Sequence, residues 1–206
     1  MISWVRPPQL LKKIYYDSIW SCWLNQNILF SFDDGPSLNT LKLLDFALEM
    51  NIKFAFFVLP DRALKYPHIV KRMVDEGHVV GTHFMVHENH FFYSKKQIIN
   101  SLHESIDKIQ KITQHTIKYC RAPYGLLAPW QNLWISKSGY VHVFWSLDGK
   151  DYKNEGKEKI IHRIKQNIKI GDVILLHEWD IESSMTVDIV KECLIYSNKK
   201  FKPYCL

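Results

Sequence analysis

From residue 28 onward, the sequence alternates between short apolar runs and longer segments with helical spacing. This alternation constrains the fold more than any other feature, because short apolar runs bounded by turn residues are typical of buried strands. Strands that alternate with helices favour a parallel sheet with right-handed helical connections. The predicted strands are Ile28–Phe32, Lys53–Leu59, Val79–Thr82, Lys118–Cys120, Tyr140–Trp145, Asp172–Leu176 and Phe201–Tyr204.

The segments between these strands carry apolar residues every three or four positions, as amphipathic helices do. Ser94 and Gln97 have the spacing of a capping box, which predicts where the longest helix begins. Before the first strand we predict a short helix in the aromatic-rich piece from Ile14 to Trp23. The other helices are predicted over residues 41–48, Pro67–Glu76, Pro129–Ser138, Lys157–Ile168 and Met185–Asn198.

The order of these elements favours one class of α/β fold. No glycine-rich phosphate loop follows the first predicted strand, which disfavours an open dinucleotide-binding sheet. A distorted, incomplete (β/α) barrel of the TIM type, with about seven parallel strands, fits better. We expect an N-terminal extension, residues 1–26, to pack on a catalytic domain, residues 27–206.

Composition excludes several classes of protein. Hydrophobic residues make up 47% of the 206, which indicates a packed core and not a disordered chain. No nucleic-acid-binding signature is present, and no pair of the four cysteines has the C-x-x-C spacing of a zinc knuckle or a thioredoxin-like site. The net charge of +6 would suit an anionic partner, but we favour solvated, lysine-rich helix faces as its origin.

The sequence gives little evidence about location. No run is long enough to span a membrane, and Met1 to Leu11 lacks the pattern of a secretory signal. We expect a soluble monomer. The sequence as it stands indicates the cytoplasm, whereas a missing leader would place the protein in the cell envelope or outside the cell.

Reactive side chains follow the predicted strands at their carboxyl ends, which is the edge where parallel α/β barrels build active sites. These residues are Asp33, Asp34, His83, His87, Arg121, Asp148, Asp151 and His177. The adjacent carboxylates of Asp33 and Asp34 would repel each other unless a cation or a proton separates them. The Gly35-Pro36 pair is expected to supply the bend that lets both reach one site.

A metal site is the natural interpretation of this set. His83 and His87 are four residues apart, so one helical turn puts both rings on one side. Two imidazoles and one carboxylate make the open, three-ligand site of a hydrolytic zinc enzyme. In a chain with 10 histidines, two solvated histidines are the alternative for this pair. We predict that Asp34, His83 and His87 hold a divalent ion, with zinc as first choice and cobalt or nickel as alternatives.

The remaining residues supply acid–base chemistry. Asp33 can take a proton from water as a general base, and Arg121 can pair with Asp33 and orient it, or serve only as a structural salt bridge. His177 can act as a general acid, and Asp151 can keep that imidazole protonated because a nearby carboxylate raises its pKa. Together these roles predict a metal-dependent hydrolase that acts on an amide or ester carbonyl.

Five segments, in order along the chain, resemble the motifs of the polysaccharide deacetylase family, also called the NodB homology domain or carbohydrate esterase family four. They are Ser31-Phe32-Asp33-Asp34-Gly35-Pro36, His83-Phe84-Met85-Val86-His87, Arg121-Ala122-Pro123-Tyr124-Gly125, Asp148-Gly149-Lys150-Asp151-Tyr152 and Ile174-Leu175-Leu176-His177. One such motif would be weak evidence, but five in the family's order are highly specific. The resemblance covers roughly Ile28 to His177.

The resemblance implies removal of acetyl groups from an N-acetylated amino-sugar polymer or oligosaccharide, such as peptidoglycan or chitin-like N-acetylglucosamine. It also implies that the backbone N–H of Tyr124 stabilises the oxyanion. Substrate contacts are predicted for Pro123, Tyr124, Tyr152 and Trp179, although large aromatics are equally common in cores. The short chain leaves little room for binding loops, so we expect an open groove.

Two positions depart from the family pattern. Tyr152 stands where the family usually has Trp, and Thr82 precedes His83 where the family often has Asn or Asp. Neither departure removes a predicted ligand or catalytic group, so we expect an active enzyme. An O-acetyl esterase acting on a polysaccharide such as xylan and an inactive carbohydrate-binding domain are the alternatives.

Overall fold

A seven-stranded parallel sheet, curled into a half-barrel, forms the centre of the fold. The structure, a computed structural model, describes residues 4–22, 24, 26–178 and 183–201. The strands are β1 (Ile28–Asp33), β2 (Ala55–Val58), β3 (Val79–Thr82), β4 (Tyr119–Cys120), β5 (Val141–His142), β6 (Leu147–Asp148) and β7 (Asp172–His177). Their order in the sheet is β5-β4-β3-β2-β1-β7-β6. The predicted fold class, a distorted and incomplete barrel, is confirmed.

Helices connect the strands. They are α1 (Gln9–Ile14), α2 (Thr40–Glu49), α3 (Pro60–Lys65), α4 (Pro67–Asp75), α5 (Lys95–Thr113), α6 (Pro129–Lys137), α7 (Lys157–Asn167) and α8 (Ser183–Lys200). The capping box at the start of α5 is present, with Ser94 as the N-cap and Gln97 as its partner. No helix among the described residues is both long and apolar enough to cross a membrane.

The sheet separates two apolar layers because successive side chains on a strand point to opposite faces. Phe30 and Phe32 on β1 belong to the larger layer, which includes the buried sides of the helices. Leu29 on the same strand belongs to a smaller cluster together with Phe57 and Val143. All six residues of β1 are buried, as expected for a strand covered on both faces. The carboxyl ends of the strands are therefore held at a rigid edge.

Several elements differ from the sequence-based predictions. Helix α3 was not predicted, because Pro60 was taken only as the end of a strand, whereas proline also suits the first turn of a helix. The predicted strand over Tyr140–Trp145 shrinks to β5, and the chain then crosses to form β6, which is too short to show periodicity. The sheet still has the predicted number of seven strands, because β6, which was not predicted as a separate strand, is one of them. Of the predicted last strand, Phe201 lies in a bend and residues 202–204 lie outside the described residues.

The predicted helix between residues 14 and 23 was wrong, since α1 ends at Ile14 and bends and isolated bridges follow it. The aromatic residues there pack on the barrel. The rings of Tyr15 and Trp20 lie 5.2 and 4.1 Å from that of Phe144, which follows β5. Packing against the barrel has overridden any helical tendency of this piece.

We call residues 4–22 the N-terminal strap, because they cross the gap between the two edge strands. At one side of the gap, the Val5 carbonyl accepts a 2.8 Å hydrogen bond from the N–H of Asp148 in β6. At the other side, the N–H of Ile19 donates to the His142 carbonyl in β5 at 3.0 Å.

An ion pair also attaches the strap. The two terminal guanidinium nitrogens of Arg6, Nη1 and Nη2, each donate a 2.8 Å hydrogen bond to the Asp172 carboxylate. Asp172 is almost fully buried at the start of β7. Loss of Arg6 would leave this carboxylate buried without its ion-pair partner, which would lower the stability of the fold by about 3 kcal/mol. The division of the chain into an extension and a catalytic domain itself stays a prediction.

Candidate active site

A cavity of about 360 Å³ opens at the carboxyl ends of the parallel strands. Many of the predicted site residues line this cavity: Asp33, Asp34, His83, His87, Tyr124, Tyr152 and His177. Arg121 and Asp151 contact lining residues through their side chains. Pro123 is buried and is not among the lining residues, and Trp179 lies outside the described residues.

The adjacent carboxylates reach one site because the backbone turns at Asp34. Asp33 ends β1, and Asp34 has a φ of +70°. The bend therefore begins one residue before the predicted Gly35-Pro36 turn. A left-handed conformation costs a non-glycine residue about 1–3 kcal/mol, although aspartate tolerates it better than most residues.

Three donor groups converge on one point beside this bend. The Oδ1 atom of Asp34 lies 3.6 Å from His83 Nε2 and 3.3 Å from His87 Nε2. One ligand atom from each residue lies within 4.8 Å of the other two. Zinc–nitrogen bonds of about 2.0–2.1 Å in a tetrahedral site place donor atoms roughly 3.3 Å apart, so this set fits such an ion. Burial lowers the pKa of His83 to about 3, which keeps the imidazole neutral, as a metal ligand must be.

The support behind His83 is incomplete among the described residues. The Nδ1 atom of His83 and the hydroxyl of Thr82 are both buried without a hydrogen-bond partner there. Ligating histidines usually donate their second N–H to a carboxylate, a carbonyl or a water. Thr82 stands at the position where the family often has Asn or Asp.

Arg121 is fully buried and holds Asp33 from within the barrel. Its Nη1 donates to Asp33 Oδ1 at 2.8 Å and to Ser31 Oγ at 3.0 Å. Its other nitrogens donate to the carbonyls of Val143 and Phe144 at 2.9 and 3.1 Å. Burial raises the pKa of Asp33, and the positive charge of Arg121 opposes that rise.

His177 and Asp151 form a second charged pair at the cavity. His177 Nδ1 lies 2.8 Å from Asp151 Oδ1, and the His177 backbone N–H donates to the other carboxylate oxygen at 2.7 Å. Burial lowers the pKa of His177, but the charge of Asp151, the hydrogen bond to it and the charges of Asp33 and Asp34 outweigh burial and raise the pKa to about 9. The imidazole is therefore protonated at neutral pH.

Strained backbone is concentrated around the cavity. Phe84, Tyr124 and Lys150 have φ values of +63°, +60° and +56°, and each lies within one residue of a predicted site residue or is itself one. Gly125 follows Tyr124 at a φ of +62°, where a Cβ atom would lie 2.6 Å from the Trp145 ring. Such clustering of left-handed residues is typical of functional sites. The sequence does not indicate this clustering, because among these four residues only Gly125 is of a type that readily adopts a positive φ.

Sequence reasoning missed one buried acid and part of the cavity wall, and it placed Asp148 at the strand ends without giving that residue a role. Asp148 lines the cavity and accepts hydrogen bonds from the Tyr152 hydroxyl at 3.2 Å and the Lys150 N–H at 2.8 Å. Its place in the fourth motif was the available signal. The missed acid, Glu178, accepts a 2.9 Å bond from Thr40 and lies so close to Gly35 that a Cβ there would be 1.9 Å from its Oε2 atom.

The wall includes Trp4, Pro7, Leu11 and Trp20 of the N-terminal strap. The sequence predicted an open groove because no loop was long enough to cover the strand ends. It gave no sign that the first residues fold back to the catalytic edge.

The half-barrel carries its charged residues at the carboxyl edge of the sheet, and comparison with known proteins identifies the family. A family model described as polysaccharide deacetylase matches residues 24–141. The chain therefore belongs to the polysaccharide deacetylase family, as its five motifs predicted.

Its relatives include deacetylases of peptidoglycan and of chitooligosaccharides. A peptidoglycan-N-acetylglucosamine deacetylase of Bacillus cereus is 34% identical over 73% of this chain and 55% of its own length. A chitooligosaccharide deacetylase of Sinorhizobium fredii is 28% identical over 74% of this chain and 72% of its own length. The crystal structure of the Bc1960 peptidoglycan N-acetylglucosamine deacetylase has a TM-score of 0.83 and 29% identity, covering 94% of this chain and 91% of that one. This chain spans 55% and 58% of the first two curated relatives it matches.

The converging donor set predicts that the protein binds one zinc ion and that His87→Ala weakens this binding. Loss of a residue that only hydrogen-bonds to a metal ligand lowers metal affinity about 10–100-fold, so loss of a ligand itself should lower zinc affinity at least as much. Isothermal titration of metal-stripped protein with zinc measures the effect. His162→Ala, which removes an exposed histidine from α7, is the matched control and should leave the affinity unchanged. Equal affinities for both variants would contradict the assignment.

Proposed function

We propose that this protein is a metal-dependent hydrolase that removes N-acetyl groups from an N-acetylglucosamine polymer or oligosaccharide, such as peptidoglycan or chitin. The observation that carries the proposal is the convergence of three sets of groups on one cavity. They are the Asp33–Arg121 pair, the Asp34–His83–His87 donor set and the Asp151–His177 pair. The substrate class is that of the relatives, which are peptidoglycan and chitooligosaccharide deacetylases.

Asp34, His83 and His87 would hold the divalent ion, with zinc as first choice. When bound, such an ion polarises the acetyl carbonyl and lowers the pKa of water. Asp33 takes the proton of the attacking water. Its raised pKa makes it a better base than an exposed carboxylate, and the 2.8 Å bond to Arg121 directs one carboxylate oxygen away from the proton that the other receives.

The tetrahedral intermediate needs a donor for its oxyanion and an acid for its leaving group. We assign the oxyanion donor to the backbone N–H of Tyr124, a residue that lines the cavity in a left-handed conformation. His177 gives its proton from Nε2 to the departing amine, because Nδ1 is engaged by Asp151. The products are acetate and a free amino sugar. Pro123, Tyr124, Tyr152 and Trp179 stay the predicted substrate contacts.

Acetate release from N-acetylglucosamine oligomers tests this function directly. Metal-stripped protein should be inactive, zinc should restore activity, and Asp33→Asn should lower kcat by about 10²–10⁴-fold while keeping zinc affinity, since a general base contributes that much. Asp107→Asn, on the exposed face of α5, is the matched control. Release from acetylated xylan alone would indicate an esterase. No release from any acetylated sugar with zinc bound would contradict enzymatic function.

The Asp151–His177 pair predicts how the rate depends on pH. His177 must be protonated to act as an acid, so activity should persist through neutral pH and decline as the pH rises through about 9, where the imidazole loses its proton. In Asp151→Asn the raising charge is gone, so this alkaline decline should shift towards the ordinary histidine pKa of about 6.5. A pH profile of kcat/KM measures the shift. If the alkaline decline of kcat/KM stays at the same pH in Asp151→Asn, His177 is not the acid that sets this decline.

A further inference from the structure

The cavity that holds the reactive groups has a wall that belongs to none of the five motifs. Trp4, Pro7 and Leu11 of the N-terminal strap line it together with the predicted site residues. All three precede residue 24, where the match to the family model begins. Trp4 remains 43% exposed although it is among the largest apolar side chains of the protein.

The strap is held at this position by bonds to the site itself. The carbonyl of Val5, next to Trp4, accepts the N–H of Asp148 at 2.8 Å, and Asp148 in turn accepts the hydroxyl of Tyr152. The next residue, Arg6, is held by a bidentate ion pair with the buried Asp172. The two residues that follow Trp4, Val5 and Arg6, are therefore anchored, which lowers the cost of ordering this wall on binding.

The character of the wall differs from that of the catalytic groups. The strap contributes an indole, a proline ring and a leucine, and Leu126 and Trp145 add further apolar surface to the cavity. Sugar rings combine apolar C–H faces with polar edges, and an exposed aromatic ring suits the C–H face. The acetyl group fills only a small part of the 360 Å³, so room remains for the sugar that carries it or for its neighbour.

We propose that Trp4, Pro7 and Leu11 form a sugar-binding subsite that determines the preference for oligosaccharides over small acetylated compounds. This inference rests on the proposed function, since the occupant is a unit of the amino-sugar chain that is deacetylated. The strap acts on binding and leaves the acid–base groups unchanged.

The test combines binding with turnover in the zinc-loaded full chain. The probes are the tetramer of N-acetylglucosamine, titrated calorimetrically, and a small aryl acetate, followed by hydrolysis. Trp4→Ala should raise the Kd for the tetramer about tenfold, whereas Trp4→Phe should keep it within about threefold, because a smaller aromatic ring remains. Leu10→Ala, also on the strap and 65% exposed but not lining the cavity, is the matched control and should behave as the parent. Hydrolysis of the aryl acetate should be unchanged in Leu10→Ala, and in Trp4→Ala it should fall by less than the affinity for the tetramer does.

The outcomes separate this inference from the proposed function. Equal tetramer affinity in Trp4→Ala and the parent overturns the subsite, and so does an equal loss of aryl acetate hydrolysis, which would indicate general disruption. A parent that binds the tetramer through Trp4 but releases no acetate supports the subsite and overturns the deacetylase activity. A parent that does not bind the tetramer overturns the subsite even where acetate release from another sugar upholds the proposed function.

Discussion

The structure depends on one buried ion pair, between Arg121 after β4 and Asp33 at the end of β1. Both side chains are almost fully removed from solvent, and the guanidinium also lies 4.0 Å over the Phe57 ring. Removing one partner from such a pair costs about 3–5 kcal/mol, because the other charge remains buried. The pair therefore links the β1 and β4 ends of the sheet and orients the carboxylate that we propose as the base.

The half-barrel creates a second requirement, which the N-terminal strap meets. A seven-stranded curled sheet leaves two edge strands, and exposed strand edges invite unwanted pairing. The strap bonds to β5 through Ile19 and to β6 through Val5, and its aromatic residues cover Phe144 between them. The same segment also forms a wall of the cavity, so one segment both covers the edge strands and shapes the site.

Much of the site could be predicted from the sequence, because parallel strands bring their carboxyl ends to one edge and the residue types there are chemically distinctive. Asp34, His83 and His87 converge as their pattern indicated, and His177 lies beside Asp33 in the register of β7 and β1. What escaped prediction depends on long-range packing. The two residues of β6 have no periodicity, and the left-handed turn at Asp34 has no residue signature. Nothing within residues 4–22 indicates that they return to the catalytic edge, since that depends on Asp148 and Asp172 far along the chain.

Arg121 is expected to serve the reaction only through Asp33, and a double-mutant cycle on acetate release measures whether it does. Arg121→Lys keeps the charge but loses the fork that reaches Ser31, Asp33 and two carbonyls. Arg121→Lys should slow the parent enzyme but should have almost no further effect on kcat in Asp33→Asn. If the two losses multiply instead, Arg121 acts independently of Asp33, and its role as a positioning residue for that carboxylate is wrong.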